Sequence, residues 1–159
     1  MFKILSTALI GALFTVNAFA DTSEGKRAFQ NQNYALALKK LLPAANKGDP
    51  AAWYILGKMH FAGLGVQKNP KKAVDHFKKA AELGNVDAQK EYGAALALGE
   101  GVEKNDEEGL KWLMIAVQQG HVGARAFAAN YAKYFPRPVL SAARRAAFKW
   151  RQDFKKKSQ

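Results

Sequence analysis

The sequence predicts an all-α protein, a stack of about three to four helical hairpins. Two observations predict it. Between Gly57 and Gly120 the chain repeats itself at a fixed step of 36 residues without a gap: Gly57 recurs as Gly93, Gly63 as Gly99, Gly65 as Gly101, Val66 as Val102, Asn69 as Asn105, Ala80 as Ala116, Gly84 as Gly120 and Ala88 as Ala124. A period of this length marks supersecondary units that bury their apolar faces only by stacking on one another. Within the units, apolar residues recur at helical rather than alternating spacing, broken by glycine-rich and polar turns.

The elements follow in order. Residues 1–20 read as a secretory signal: a positive start at Lys3, an apolar run from Ile4 to Val16, and the small-x-small site Ala18-Phe19-Ala20, with cleavage expected between Ala20 and Asp21. Residues 21–49 read as a partial, capping repeat, in which Ala28, Phe29, Tyr34, Ala37, Leu38, Leu41 and Ala45 mark two short helices broken at Asn31-Gln32-Asn33, with Pro43 tightening the last turn.

The first full unit opens at Asp49-Pro50, an N-cap followed by proline at the first helical position, and carries Ala52, Trp53, Leu56, Gly57 and His60 on one side. The loop from Gly63 to Asn69 leads to a second helix opened by Pro70, with Ala73, His76, Phe77, Ala80 and Ala81 inward and a stop at Gly84. The second unit repeats the plan through Ala88, Tyr92 and Gly93, a Gly99-Glu100-Gly101-Val102 loop, a cap at Asn105, then Leu110, Trp112, Leu113 and Ala116 to Gly120. Gly84 and Gly120 are placed to end their helices in a left-handed conformation. A third unit begins with Ala124, Phe127, Ala128 and Tyr131, but Phe135-Pro136-Arg137-Pro138 replaces the glycine loop. Residues 50–132 thus hold the repeats, and residues 133–159 a basic capping helix, expected from about Val139 to Phe154 with Lys155-Lys156-Lys157 frayed.

Aligned at this step, Ala52, Leu56-Gly57, Gly63-Leu64-Gly65-Val66, Ala73, Ala80-Ala81 and Gly84 resemble the Sel-one-like repeat, a relative of the tetratricopeptide repeat; the second copy matches through Ala88, Gly93, Gly99, Gly101, Val102, Trp112, Ala116 and Gly120. The resemblance covers roughly Pro50 to Ala128. It implies a right-handed superhelix of antiparallel helix pairs and a role as a protein-binding adaptor, often in bacterial envelope or secretion systems. Gly109 and Val117 replace usual alanines, and His60 and Leu96 stand where tyrosine is common, which should loosen packing locally. Cysteine-rich members resemble penicillin-binding or β-lactamase-type proteins; this chain has no cysteine, so that activity is not carried over.

Composition narrows the chemistry. Without cysteine there is no disulfide scaffold, thiolate metal site or cysteine nucleophile, nor a lipidated cysteine after the signal. The Gly63-Leu64-Gly65 and Gly99-Glu100-Gly101 loops lack the third glycine of a dinucleotide fingerprint and a preceding strand, so they read as repeat turns. His60, His76 and His121 share no ligand spacing; His76 aligns with Trp112, a core position, His60 aligns with Leu96, and His121 is expected to be exposed. Ser23, Ser141 and Ser158 sit near termini or caps, and Glu100, Glu103, Glu107 and Glu108 surround a loop and helix start, where acids favour the dipole. No catalytic residue, metal or cofactor is expected, and the chain is read as a non-enzyme.

The formal net charge of +12 is uneven. Residues 21–132 hold 15 basic and 12 acidic side chains, whereas residues 133–159 hold nine basic side chains against Asp153 alone. By the resemblance, the first helix of each pair lines a concave groove, which here implies Tyr54, Lys58, Phe61, Lys90, Asn130 and Lys133 as partner-binding residues, suited to an acidic and apolar segment of an unidentified protein. Arg144, Arg145, Lys149 and Arg151 form a basic surface, read either as a solvated outer face or as a site for an anionic envelope polymer or membrane. An immunity-type inhibitor of an exported toxin is the other alternative. Nucleic acid is not expected, because an exported protein rarely meets it, and the expected location is the periplasm or outside the cell.

Overall fold

A computed structural model describes residues 22–158; the expected leader and its cleavage site lie outside the described residues. Helix α1 covers residues 22–30, followed by α2 (Tyr34–Asn46), α3 (Pro50–Ala62), α4 (Pro70–Glu82), α5 (Val86–Leu98), α6 (Asp106–Gln118), α7 (Val122–Tyr131), a 3₁₀ turn (Ala132–Tyr134) and α8 (Arg137–Lys157). Among the described residues there is no strand, and no helix is long and apolar enough to cross a membrane. The all-α stack of hairpins is therefore present: α1/α2, α3/α4 and α5/α6 are successive antiparallel pairs, and α7 begins a further one.

Caps set the step. Asn33, Asn69 and Asn105 each accept a hydrogen bond from the backbone N–H three residues on, opening the second helix of each pair. Asp49, Asn85 and His121 open the first helices in the same way, with Asp49 Oδ1 accepting from Ala51 and Ala52 and Asn85 Oδ1 from Ala88. A cap at each of these positions satisfies donors the helix leaves free and is worth about 1 kcal/mol. Thr22 Oγ1 donates to the other oxygen of Asp49 at 2.8 Å, tying α1 to the start of α3.

The glycine loops stack the units. Gly65 and Gly101 both have positive φ, 68° and 71°, and both press on the unit before them. A Cβ at Gly65 would lie 2.4 Å from the Tyr34 Cβ, and one at Gly101 would lie 2.5 Å from the carbonyl carbon and oxygen of Pro70. Tyr34 and Pro70 are each the first residue of the preceding second helix, so the second glycine of the loop is where one repeat rests on another. Only glycine takes this φ and this approach without strain. Gly84 and Gly120 also have positive φ, 91° and 88°, as the sequence predicts.

The expectation that Gly109 loosens packing is not met. Gly93 of α5 and Gly109 of α6 face each other, and a Cβ on Gly109 would come within 3.0 Å of both the Gly93 carbonyl oxygen and the Ala97 nitrogen. Losing the methyl group brings the two backbones together instead of leaving a gap.

Two apolar clusters form the core. One gathers α1, α2 and α3 around Leu41, Leu56 and Met59; the other gathers α4, α5 and α6 around Phe77, Leu96, Trp112 and Ile115, and Ala147 of α8 joins it. Trp53 and Tyr54 of α3 pack against both. Burying a side chain such as Leu41, Leu56 or Ile115 contributes about 1.5–3 kcal/mol.

Helix α8 does not complete a hairpin with α7. It lies against α6 and runs in the same direction: Val139, Ala142, Ala143 and Ala146 face Asn105–Lys111, and farther along Arg151 Nη1 donates to the Gln118 carbonyl at 3.1 Å. Trp150 meets Trp112 edge-on at 5.4 Å, and the Phe154 ring reaches Gly84 at the end of α4. The helix continues to Lys157 rather than fraying after Phe154, with lysines in its last turn where the dipole favours them.

Candidate functional site

The six residues predicted to line a groove fall at equivalent positions of α3, α5 and the third unit, but the structure places only four of them on depressions, Lys58 and Phe61 on one and Asn130 and Lys133 on another, while Tyr54 and Lys90 line neither. The first, of about 170 Å³, lies between α3 and α5 and is lined by Lys58, Phe61, Ala62, Leu64, Phe77 and Glu91. Phe61 is 45% exposed above it. The second, of about 320 Å³, is lined by Phe127, Asn130, Tyr131, Lys133 and Tyr134. Between them the equivalent positions are Ala94 and Ala97, both buried, so α5 offers little beyond Lys90 and Glu91.

Each side chain has a local role. Tyr54 is half-buried, with its ring 6.0 Å from Phe77, and burial pushes its hydroxyl up to about 12, helped by Asp87 and Glu91. It is a packing residue as well as a flank residue. Lys58 Nζ sits over the rings of both Phe29 and Tyr54, at 5.3 and 5.6 Å, and so spans α1 and α3. Lys90 pairs with Glu91 at 3.1 Å, and Lys133 donates to Asn130 at 3.1 Å. At the second depression the Tyr131 hydroxyl meets the Asp106 carboxylate and, at 2.8 Å, the Ala97 carbonyl. Burial and then this carboxylate raise the Tyr131 pKa, and the hydroxyl in turn lowers that of Asp106.

Of the basic surface, Arg144, Arg145 and Lys149 are exposed. Lys149 pairs with Asp153 at 2.8 Å, whereas Arg151 is half-buried and spends one N–H on the Gln118 carbonyl.

His121 is not the exposed residue the sequence suggests. Its Nδ1 accepts from the Ala124 N–H at 3.0 Å, and its Nε2 lies 3.2 Å from Asp87, so it caps α7 and ties it to α5. His60 and His76 come together: their ring centroids are 5.2 Å apart, and His76 also stacks on Trp53 at 5.2 Å. Lys79 Nζ closes the ladder, 4.3 Å over the Trp53 ring. The Nδ1 atoms of both histidines are buried without a hydrogen-bond partner. Burial first, then the neighbouring His60 and Lys79, lowers the His76 pKa to about 4. Among the described residues no three His, Cys, Asp or Glu side chains gather as a metal set.

The sequence reading missed Gln89, a fully buried polar side chain. It donates to the Ala81 carbonyl at 3.3 Å and accepts from Gln119 at 2.6 Å, joining the ends of α4 and α6 through α5. It also read Glu108 only as a helix-start acid; Glu108 accepts from Trp112 Nε1 at 2.8 Å and from Lys111.

The Sel1 repeat family model matches residues 50–85 and 86–121, the two units defined by these caps and loops. Residues 50–121 are two Sel1 repeats. Among solved structures, a protective antigen of uropathogenic Escherichia coli displaying an SLR fold is 25% identical, with a TM-score of 0.78 over 86% of this chain and 30% of that one. A Sel1 repeat protein from Oxalobacter formigenes is 28% identical, with a TM-score of 0.68 over 77% of this chain and 96% of that one. No match was found among functionally curated proteins. Sel1 repeats are in general protein–protein interaction modules, and proteins built from them are typically non-catalytic adaptors.

Proposed function

We propose that this protein is a non-catalytic adaptor that holds a segment of a partner protein against the flank of α3 and α5, with Asn130 and Lys133 of the third unit as a second contact. The observation that carries this reading is Phe61, a large apolar side chain 45% exposed at the lip of an apolar depression. Lys58 and Glu91 stand at its sides, so an apolar anchor flanked by charge fits it. The leader-like residues 1–20 support action in the periplasm or outside the cell, after cleavage between Ala20 and Asp21.

A photo-crosslinking residue placed at position 61 tests the reading. A protein joined from this position in the intact envelope, and no longer captured by a Phe61→Ala chain bearing the crosslinker at position 58, supports it. Undiminished capture by that variant overturns it. Cell fractionation tests the location, and retention of the unprocessed chain in the cytoplasm would refute it.

A further inference from the structure

The outward face of α8 carries a feature that the adaptor reading leaves unused. The helix holds eight basic side chains and one acid, Asp153, which is already paired with Lys149. Its inner side is occupied: Ala143 and Ala147 are buried, Trp150 packs on Trp112, and Arg151 is bound to Gln118. On the opposite side lie Arg144, Arg145, Phe148, Lys155 and Lys156, all exposed, and spaced at three, four and seven residues so that they share one face. Among the described residues no carboxylate forms an ion pair with these four cations. Phe148 stands in their midst, 60% exposed.

We infer that this face of α8 docks on an anionic lipid bilayer, the cations meeting phosphate headgroups while Phe148 enters the boundary between headgroup and acyl chain. Charge complementarity sets the sign of the partner. The choice of a bilayer over a dissolved polyanion comes from Phe148: a soluble chain of phosphates or sulfates rewards the cations alone, whereas an anionic surface with an apolar layer beneath it rewards both kinds of group at once. The shape agrees. The 21 residues of α8 make a rod of about 31 Å that can lie flat along a surface, and its own inner side stays sealed on α6 while it does so. This docking face is separate from the α3–α5 flank, so either proposal can fail without the other.

The test is co-sedimentation of the full chain with vesicles of phosphatidylglycerol and phosphatidylcholine, against vesicles of phosphatidylcholine alone. Residues 1–20, which carry Lys3 ahead of their apolar run, are common to every variant and so cancel when variants are compared on the same vesicles. Binding is expected with the anionic vesicles, weakening steeply with salt, and markedly less with the neutral ones. Each basic residue near such a surface contributes about five-fold in affinity, so Arg144→Gln/Arg145→Gln should weaken anionic binding by about 20-fold or more. Phe148→Ser, which leaves the charge unchanged, should weaken it about ten-fold. Both variants sit on the exposed face and should melt with the parent chain. Equal binding to neutral vesicles, or undiminished binding by the double variant, would overturn the inference. Binding that Phe148→Ser leaves intact and heparin abolishes would instead assign the face to a soluble polyanion, and would also overturn it.

Discussion

Gly101 lies on the Pro70 peptide, close enough that a Cβ at position 101 would stand 2.5 Å from the Pro70 carbonyl. The same relation holds one unit earlier between Gly65 and Tyr34. Gly99, two residues away in the same loop, also has positive φ, but its nearest neighbour is the Lys104 side chain at 3.4 Å. The two glycines are therefore separable. Gly99→Ala should cost only the backbone strain, about 1–2 kcal/mol, whereas Gly101→Ala adds a backbone collision and should cost about 3–5 kcal/mol. Urea unfolding of the two variants checks this; equal losses would mean that the loop does not stack the units.

Gln89 should behave as a joint. Gln89→Leu leaves the Ala81 carbonyl without its side-chain donor and deprives Gln119 of its acceptor inside a fully buried position, so a loss of about 1–3 kcal/mol is expected. Gln119→Ala leaves the buried Gln89 amide oxygen without its donor, so a loss of about 1–3 kcal/mol is expected there too, although Gln119 itself is exposed. A double-mutant cycle measures the coupling between them.

Acid should weaken the α3/α4 pair through His76. In the folded chain its pKa is lowered to about 4, through burial, His60, Lys79 and Lys72 against the opposing Asp75, from 6.5 in the unfolded chain. Between these values the unfolded chain takes up a proton that the folded one does not. The contribution of the neutral ring is thus present above pH 6.5 and is lost as the pH falls toward 4. The ring is only half-buried, so solvent screening reduces the effect to on the order of 1–2 kcal/mol. His76→Phe should flatten this part of the curve of melting temperature against pH; an unchanged slope would place its origin elsewhere.

On the proposed binding flank, Phe61 and Tyr54 should part company. Phe61→Ala removes an exposed ring and should change stability by about 0.5 kcal/mol while abolishing partner capture. Tyr54→Ala removes a ring packed against both core clusters and should cost about 2–3 kcal/mol as well. Thermal melts beside crosslinking yields distinguish the two.

Much of this architecture was legible because a 36-residue step is a strong constraint: the caps at Asp49, Asn69 and Asn105, the proline starts and the glycine stops all stand where the pattern puts them. Counting on from Asp49 through Asn85 also lands on His121, so its capping role was encoded, but hidden by a residue type seldom found at that position. Other features depend on which helix meets which. Nothing local says that α8 bypasses α7 for α6, that His60 and His76 share a stack, or that Gln89 finds two partners, because each involves groups many residues apart. Equivalence between repeats fixes which residues correspond, not how deep they lie, and so it did not show that Ala94 and Ala97 would divide the expected groove into two hollows.

Helix α8 begins beside Asn105 and ends with Phe154 on Gly84, so it crosses the joint between the two Sel1 repeats from behind. A rod fixed at both ends of a joint acts as a splint. Opening the joint between the two repeats would first have to lift the Phe154 ring off Gly84.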